Sequence, residues 1–234
     1  MKYILIIETS DKANSIAICD SNGKLINYKD EISDNFTHIE LLHVSIDKLF
    51  NECGIAFSDL CAIAVSSGPG SYTGLRIGVS SAKGYAYALD IPLISLPTLE
   101  LLANGMIDHI DEKNENIILI PTIDARRMEV YMQMFDYQIH AITEPSAEII
   151  NELYFSKFLK DKIYYWGGSG AEKLSDFFPD NHKLVHQVQY PLARYGVSIA
   201  IDKYNTHQYE DIAYFEPFYL KEFIPGKPRV KGLE

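Results

Sequence analysis

One pattern is written twice along this chain, and it constrains the fold more tightly than any other feature of the sequence. Three short extended runs come first, at residues 3–7, 15–19 and 25–31. The first is continuously apolar, as a central strand covered on both faces must be. Asn22-Gly23, between the second and third, predicts a two-residue type I′ turn. Helices and strands then alternate: a helix 37–53, a strand 61–65, a helix 73–89, a strand 92–96 and a helix from Thr98 to about His109. The first helix carries a capping box in Thr37 and Glu40, and Phe36 and Leu41 are placed as a hydrophobic staple. Ile39, Leu42, Ile46 and Leu49 form its apolar face, and Gly54 stops it.

After the polar linker 111–116 the pattern restarts. Strands are expected at 117–124, 128–135 and 138–142, then a helix 146–159, a strand 163–166, a helix 171–178, a strand 183–188 and a helix 192–204. The chain therefore divides into an N-terminal half, 1–111, and a reduced C-terminal half, 112–234, which ends in a basic tail. Two successive βββαβαβα units resemble the duplicated α/β fold of the actin-like ATPases (actin, sugar kinases and Hsp70), whose nucleotide sits in the cleft between halves. Fold alone does not decide activity.

The 234 residues are 47% hydrophobic, enough for one substantial core or two modest ones. No apolar run approaches the roughly 20 residues that span a bilayer, and the opening MKYILIIETS reads as a buried strand, not a signal peptide. Cys19, Cys53 and Cys61 are scattered through patterned segments, which suits core thiols in a reducing cytoplasm better than a disulfide framework or a zinc site. The formal net charge of -11 repels a nucleic-acid backbone, so an RNA substrate would be held mostly by another subunit. The tail Lys227-Pro-Arg229-Val-Lys231 is the local exception, readable as a solvated terminus or as an RNA or partner contact.

A nucleotide cleft of this fold needs an acidic residue and approachable glycines at the turn after each first strand. The first turn offers Glu8-Thr9-Ser10-Asp11 and no glycine; the second offers Asp124-Ala125-Arg126-Arg127, with two bulky residues where small ones are wanted. Gly167-Gly168-Ser169-Gly170, between a strand and a helix, resembles the loop under adenosine, and a tight structural turn would use the same glycines. Glu8, Asp124, Gly167 and Gly168 are thus the candidates for a vestigial nucleotide cleft. Asp124 and Glu129 could pair as acid and base, but Arg126 and Arg127 stand ready as salt-bridge partners.

The segment 66–78 leads from a strand into a helix, where N–H groups can bind anions. It is not a Walker loop: the Gly68 to Gly74 spacing is wrong, no Lys-Ser/Thr follows, and Pro69 removes a donor. Behind it Gly74, Gly78, Ala82 and Ala86 recur at every fourth position, a stripe that lets another backbone approach, within the chain or across subunits. Gly78 and Gly84 each cost a helix interior about 1 kcal/mol relative to alanine, so each needs a packing reason.

SGPGSYTGLRIG (67–78), Ile7-Glu8-Thr9-Ser10, Ile123-Asp124-Ala125-Arg126 with Glu129 and Tyr131, and Glu216-Pro-Phe-Tyr219-Leu220 together resemble the TsaB family. The resemblance implies a non-catalytic scaffold that binds its paralogue TsaD, the enzyme that transfers threonylcarbamoyl to the adenosine beside the anticodon in tRNA. The ATPase TsaE joins the pair. TsaD holds its metal with a His-x-x-x-His pair; the matching positions here are Thr98 and Leu102, which cannot bind it. No cofactor is implied, and tRNA is reached only through the complex. The first two helices of the N-terminal half are implied as the partner surface, with a homodimer when TsaD is absent. Leu42, Ile46, Gly78, Ala82 and Tyr85 are the side chains taken to face that partner.

Two enzymatic alternatives remain open at this stage. A small ATPase or kinase would use Glu8, Asp124 and the Gly167-Gly168 loop. A zinc peptidase would need His38 and His43, but HIELLH sets them five apart, about 140° around a helix, whereas HExxH sets them four apart on one face.

Overall fold

The computed structural model describes residues 2–32, 38–112 and 114–221, apart from the side chains of residues 38–40 and 152. Thr37, Phe36 and the basic tail lie outside the described residues, as do the His38 and Glu40 side chains.

The first sheet has the order β3-β2-β1-β4-β5. Strands β1 (Tyr3–Glu8), β2 (Ala13–Asp20) and β3 (Leu25–Ile32) form an antiparallel meander, while β4 (Leu60–Gly68) and β5 (Leu93–Pro97) run parallel to β1. Because β1 is central, its alternate residues enter two cores. Leu5 and Ile7 join Leu42, Ile46, Leu49, Val79 and Ala82 of helices α1 (His38–Cys53) and α2 (Tyr72–Leu89). Ile4 and Ile6 join Leu96, Ala193, Ile199 and Ala200 on the opposite face.

The β2–β3 turn is not type I′. Of Asn22 and Gly23 only Gly23 takes a positive φ, and the loop closes one residue wider, from Asp20 N–H to the Lys24 carbonyl. The Asp20 carboxylate causes this by accepting from the N–H groups of Asn22 and Lys24, which favours a turn with a glycine bulge.

The second sheet runs β11-β10-β6-β7-β9, with β8 paired to β6. Its strands are β6 (Ile117–Asp124), β7 (Glu129–Met132), β8 (Phe135–Asp136), β9 (Ser146–Ile149), β10 (Ile163–Gly167) and β11 (His182–Leu184). Three expectations fail here. Residues 138–142 make no strand, because Asp136 accepts from the N–H groups of Gln138 and His140 and turns the chain at once. The expected helix 146–159 is edge strand β9 followed by a 3-10 turn, Glu152–Lys157, which Asn151 caps from Tyr154 N–H. The expected helix 171–178 is another 3-10 turn, Glu172–Phe177.

The two sheets share their helices. Helix α3 (Thr98–Ile107) comes from the first half, yet Leu99, Leu102, Ala103 and Met106 pack on Ile117, Leu119 and Ile123 of the second sheet. Helix α4 (Val197–Asn205) comes from the second half and covers the first sheet. The chain then returns as a strap. Glu210 bridges Leu93, the Lys83 ammonium donates to the carbonyls of Ala213 and Phe215, and Phe218 N–H donates to Ser67 O. Lys221 pairs with Glu129. Among the described residues no helix is long and apolar enough to cross a membrane.

Candidate functional site: a tied cleft and a glycine joint

Strands β1 and β4 end side by side, and this brings Glu8 and Ser66 together with Ser10 in the first turn. Glu8 is fully buried. One carboxylate oxygen accepts from Ser10 N–H, and the other has no hydrogen-bond partner. Burial pushes its pKa up to about 7; the Ser10 and Ser66 groups oppose the rise without cancelling it, and Asp11 adds to it. The hydroxyls of Ser10 and Ser66 are themselves buried without well-formed partners. With no exposed surface, the Glu8 carboxyl does not open onto solvent.

Asp11, further along the turn, accepts from Ser169 Oγ, which in turn accepts from Asp124 N–H at 3.0 Å. One serine thus ties the first turn, the second turn and the glycine loop together across the cleft. The second turn is closed from below by Lys173, whose ammonium donates to Asp124 Oδ1 and to the carbonyls of Arg127 and Glu129 at 2.8 and 2.7 Å. Asp124 and Glu129 do pair with bases, but with Lys173 and Lys221 rather than with Arg126 and Arg127. Arg126 and Arg127 both take left-handed backbone, φ 72° and 52°. That costs about 1–2 kcal/mol for each non-glycine residue.

The glycine loop packs closely on the chain itself. Its Gly168 and Gly170 N–H groups donate to the carbonyls of Val188 and Thr122. A Cβ on Gly167 would meet Met106 at 2.9 Å, and one on Gly168 would meet Thr122 O at 2.0 Å. The space left beside Gly168, Glu172, Val185, His186 and Gln189 is about 10 Å3, room for no more than one water. A larger cavity of about 230 Å3 lies elsewhere, between α2 and the strap, beside Arg76, Ser80 and Glu216. Thr98 accepts from Gly68 N–H through its hydroxyl, and Leu102 is buried in the core.

The glycine segment 67–78 is a joint between backbones. Cβ atoms on Gly70 and Gly74 would lie 2.4 and 2.0 Å from the carbonyl oxygens of Ser10 and Thr9, and one on Gly78 would lie 2.3 Å from Thr9 Oγ1. Ser71 N–H donates to Ser10 O, and Thr9 Oγ1 donates to Gly74 O at 2.7 Å. Gly68 sits against the Phe218 carbonyl of the strap, and Tyr219 packs on Tyr72. The first turn, the glycine segment and the strap, which are far apart in sequence, therefore meet at one place. The first turn of α2 is covered by Thr9 and Ser10.

This placement corrects the expected partner surface. Leu42, Ile46, Gly78 and Ala82 are buried against the protein's own sheet and first turn, so none of them is exposed to a partner. Tyr85 is half-buried, stacks on Phe57 and bonds His43 Nδ1 at 2.9 Å; Ser81 meets the other ring nitrogen at 3.3 Å. The outward faces carry instead Leu41 and Val44 on α1 and Arg76, Ser80, Gly84, Tyr87 and Ala88 on α2. Nothing lies within 4 Å of a Cβ built on Gly84. That glycine has no packing reason within the chain, a signal present in the sequence as an isolated helix-interior glycine. Lys173 and Ser169 carried no comparable signal.

Fold and site define an α/β protein of the actin-like ATPase class, with two mixed sheets and a serine that ties the first turns of both halves together. The family model described as TsaD: tRNA N6-adenosine threonylcarbamoyltransferase matches residues 35–216. The TsaB protein of Bacillus subtilis is 38% identical over 136 residues, 58% of this chain and 56% of that protein. The TsaB protein of Escherichia coli is 25% identical over 230 residues, 96% of each. The solved structure of YeaZ from Pseudomonas aeruginosa superposes with a TM-score of 0.78 at 23% identity, covering 94% of this chain and all of that one. The chain belongs to the TsaB/YeaZ family of tRNA threonylcarbamoyladenosine biosynthesis proteins, paralogous to TsaD.

Proposed function

We propose that this protein is a non-catalytic scaffold that pairs with a TsaD paralogue through the outward faces of α1 and α2, with a TsaE homologue joining the pair. On its own it pairs with a second copy through the same faces, and tRNA is engaged through the assembly. The observation that carries the reading is the contrast between cleft and helix face. Ser169 and Lys173 tie the turns beside the cleft together, and the N–H groups of Gly168 and Gly170 are already taken by the Val188 and Thr122 carbonyls. On α2, by contrast, Gly84 leaves open room beside Ser80 and Ala88, one turn before it and one turn after it on the same face. Small residues at that spacing let a second helix come close.

Gly84→Leu tests it. Leucine restores helix propensity, by most of the roughly 1 kcal/mol that glycine costs, and its Cβ meets nothing within 4 Å on an exposed helix face. The isolated variant should therefore unfold at an equal or higher temperature, while its co-purification with the TsaD paralogue falls at least about tenfold, as overpacked interfaces lose 1–3 kcal/mol. Undiminished co-purification would remove α2 from the interface. Failure of the wild-type pair to associate would remove the scaffold reading itself.

A further inference from the structure

Two segments far apart in the sequence, 67–78 and 216–220, line one cavity. It measures about 230 Å3 and lies between α2 and the strap. Arg76 from the first segment and Glu216 from the second both border it, a cation and an anion. Among the described residues neither forms an ion pair, with the other or with a third group.

The surrounding structure holds the two charges apart. The Arg76 guanidinium lies over the Tyr72 ring at 4.4 Å, and Tyr72 packs on Tyr219 with ring centroids 4.9 Å apart. Glu216 is set by the strap on both sides. Before it, the Lys83 ammonium fixes the Phe215 carbonyl at 3.0 Å; after it, Phe218 N–H donates to Ser67 O at 2.7 Å. A residue before proline is also restricted to extended backbone, and Pro217 follows Glu216. Arg76 and Lys83 are separated by about 10 Å along the helix axis. The strap runs the opposite way, with Tyr219 beside Tyr72 at the Arg76 end and Phe215 beside Lys83 at the other. One end of the cavity is therefore positive through Arg76. Glu216 lies toward the other end, where the Lys83 ammonium is already committed to the carbonyls of Ala213 and Phe215. Val79, which is buried, and the half-buried Phe215 and Pro217 supply apolar wall.

The geometry points to a binding site for a free α-amino acid, with its carboxylate on Arg76, its ammonium on Glu216 and an apolar side chain against Val79, Phe215 and Pro217. A guanidinium fork matches a carboxylate two oxygens at a time. A plain anion would be opposed by Glu216, and a plain amine by Arg76. Size points the same way. The cavity is smaller than the roughly 300 Å3 at which pockets for drug-sized ligands begin, and equals the share of about eight waters. That is room for an amino acid and too little for a nucleotide. The inference goes beyond the scaffold reading and does not rest on pairing through α1 and α2.

Thermal melts of the isolated protein test it, with L-phenylalanine as the probe. At about 10 mM it should raise the melting temperature by at least about 2 °C. At the same concentration 3-phenylpropanoate, which lacks the ammonium, and phenethylamine, which lacks the carboxylate, should each give about half that shift or less. Arg76→Gln and Glu216→Gln change exposed side chains and should melt within about 2 °C of wild type without ligand. In calorimetric titration each should bind phenylalanine at least about tenfold more weakly. The two variants part in their preferences: Arg76→Gln no longer favours phenylalanine over phenethylamine, and Glu216→Gln no longer favours it over 3-phenylpropanoate. A merely structural role would weaken all three probes alike. No shift with either phenylalanine or leucine would overturn the proposal. So would equal binding of 3-phenylpropanoate to the wild type, which would mark a plain anion site. Phenylalanine binding unchanged in both variants would place it elsewhere on the protein and overturn the assignment as well.

Discussion

Replacing Glu8 with Gln should stabilise the folded protein by about 3 kcal/mol at pH 8 and by about 1 kcal/mol or less at pH 5. The native carboxyl holds its proton up to about pH 7, whereas an unfolded glutamate releases it near 4.5. Between those values the native state binds more protons than the unfolded state, so its stability falls as pH rises through the window, and the loss is nearly complete above pH 7. Glutamine mimics the protonated form. It keeps an oxygen to accept from Ser10 N–H and has no charge to desolvate. Urea denaturation of both proteins at the two pH values measures the difference, and a gain that does not change with pH would show that Glu8 does not titrate there. His182 acts on the opposite limb. Burial lowers its pKa to about 4, so stability associated with it is lost as pH falls from 6.5 through 4, in wild type and variant alike.

The glycine joint gives the second large effect. Gly74→Ala drives a methyl group to 2.0 Å from the Thr9 carbonyl, a backbone atom that cannot rotate away, and should cost about 3 kcal/mol or more. Gly70→Ala, at 2.4 Å from the Ser10 carbonyl, follows closely. Gly78→Ala should cost less, because the atom it meets at 2.3 Å is the movable hydroxyl of Thr9. Gly84→Ala, in open space, should instead stabilise by up to about 1 kcal/mol. Denaturation midpoints at fixed m-value rank the four. A uniform effect across the series would mean that helix propensity, not close approach, decides these positions.

The stripe Gly74, Gly78, Ala82 and Ala86 also marks how far the sequence could be read. Its period of four announced close packing, but nothing in the pattern distinguished the protein's own first turn from a partner helix. The resemblance placed Leu42, Ile46, Gly78 and Ala82 toward a partner, and they lie inside the chain. The same ambiguity misled the second half. Residues 146–159 alternate plausibly as a helix, yet Asn151 caps a short 3-10 turn there, and its Phe155 packs on Trp166. Where strands are buried on both faces, as in β1 and β6, apolar continuity made them plain. The cleft was legible only from one side: missing glycines set the expectation that phosphates are poorly cradled, whereas the Ser169 tie and the Lys173 ammonium are long-range facts that no local pattern records.

The exchange of helices between sheets bears on how the protein is made. Chains leave the ribosome from the N-terminus at about 5–20 residues per second, so α4 emerges on the order of 5–20 s after β5. Throughout that interval Ile4, Ile6, Ala62, Ala64, Ile94 and Leu96 lack the helix that covers them in the finished molecule. The nascent first half is therefore a sticky sheet awaiting its lid. A trigger-factor type of chaperone, or a slow-codon pause near residue 111, would have its largest effect on yield at that stage rather than on the stability of the completed protein.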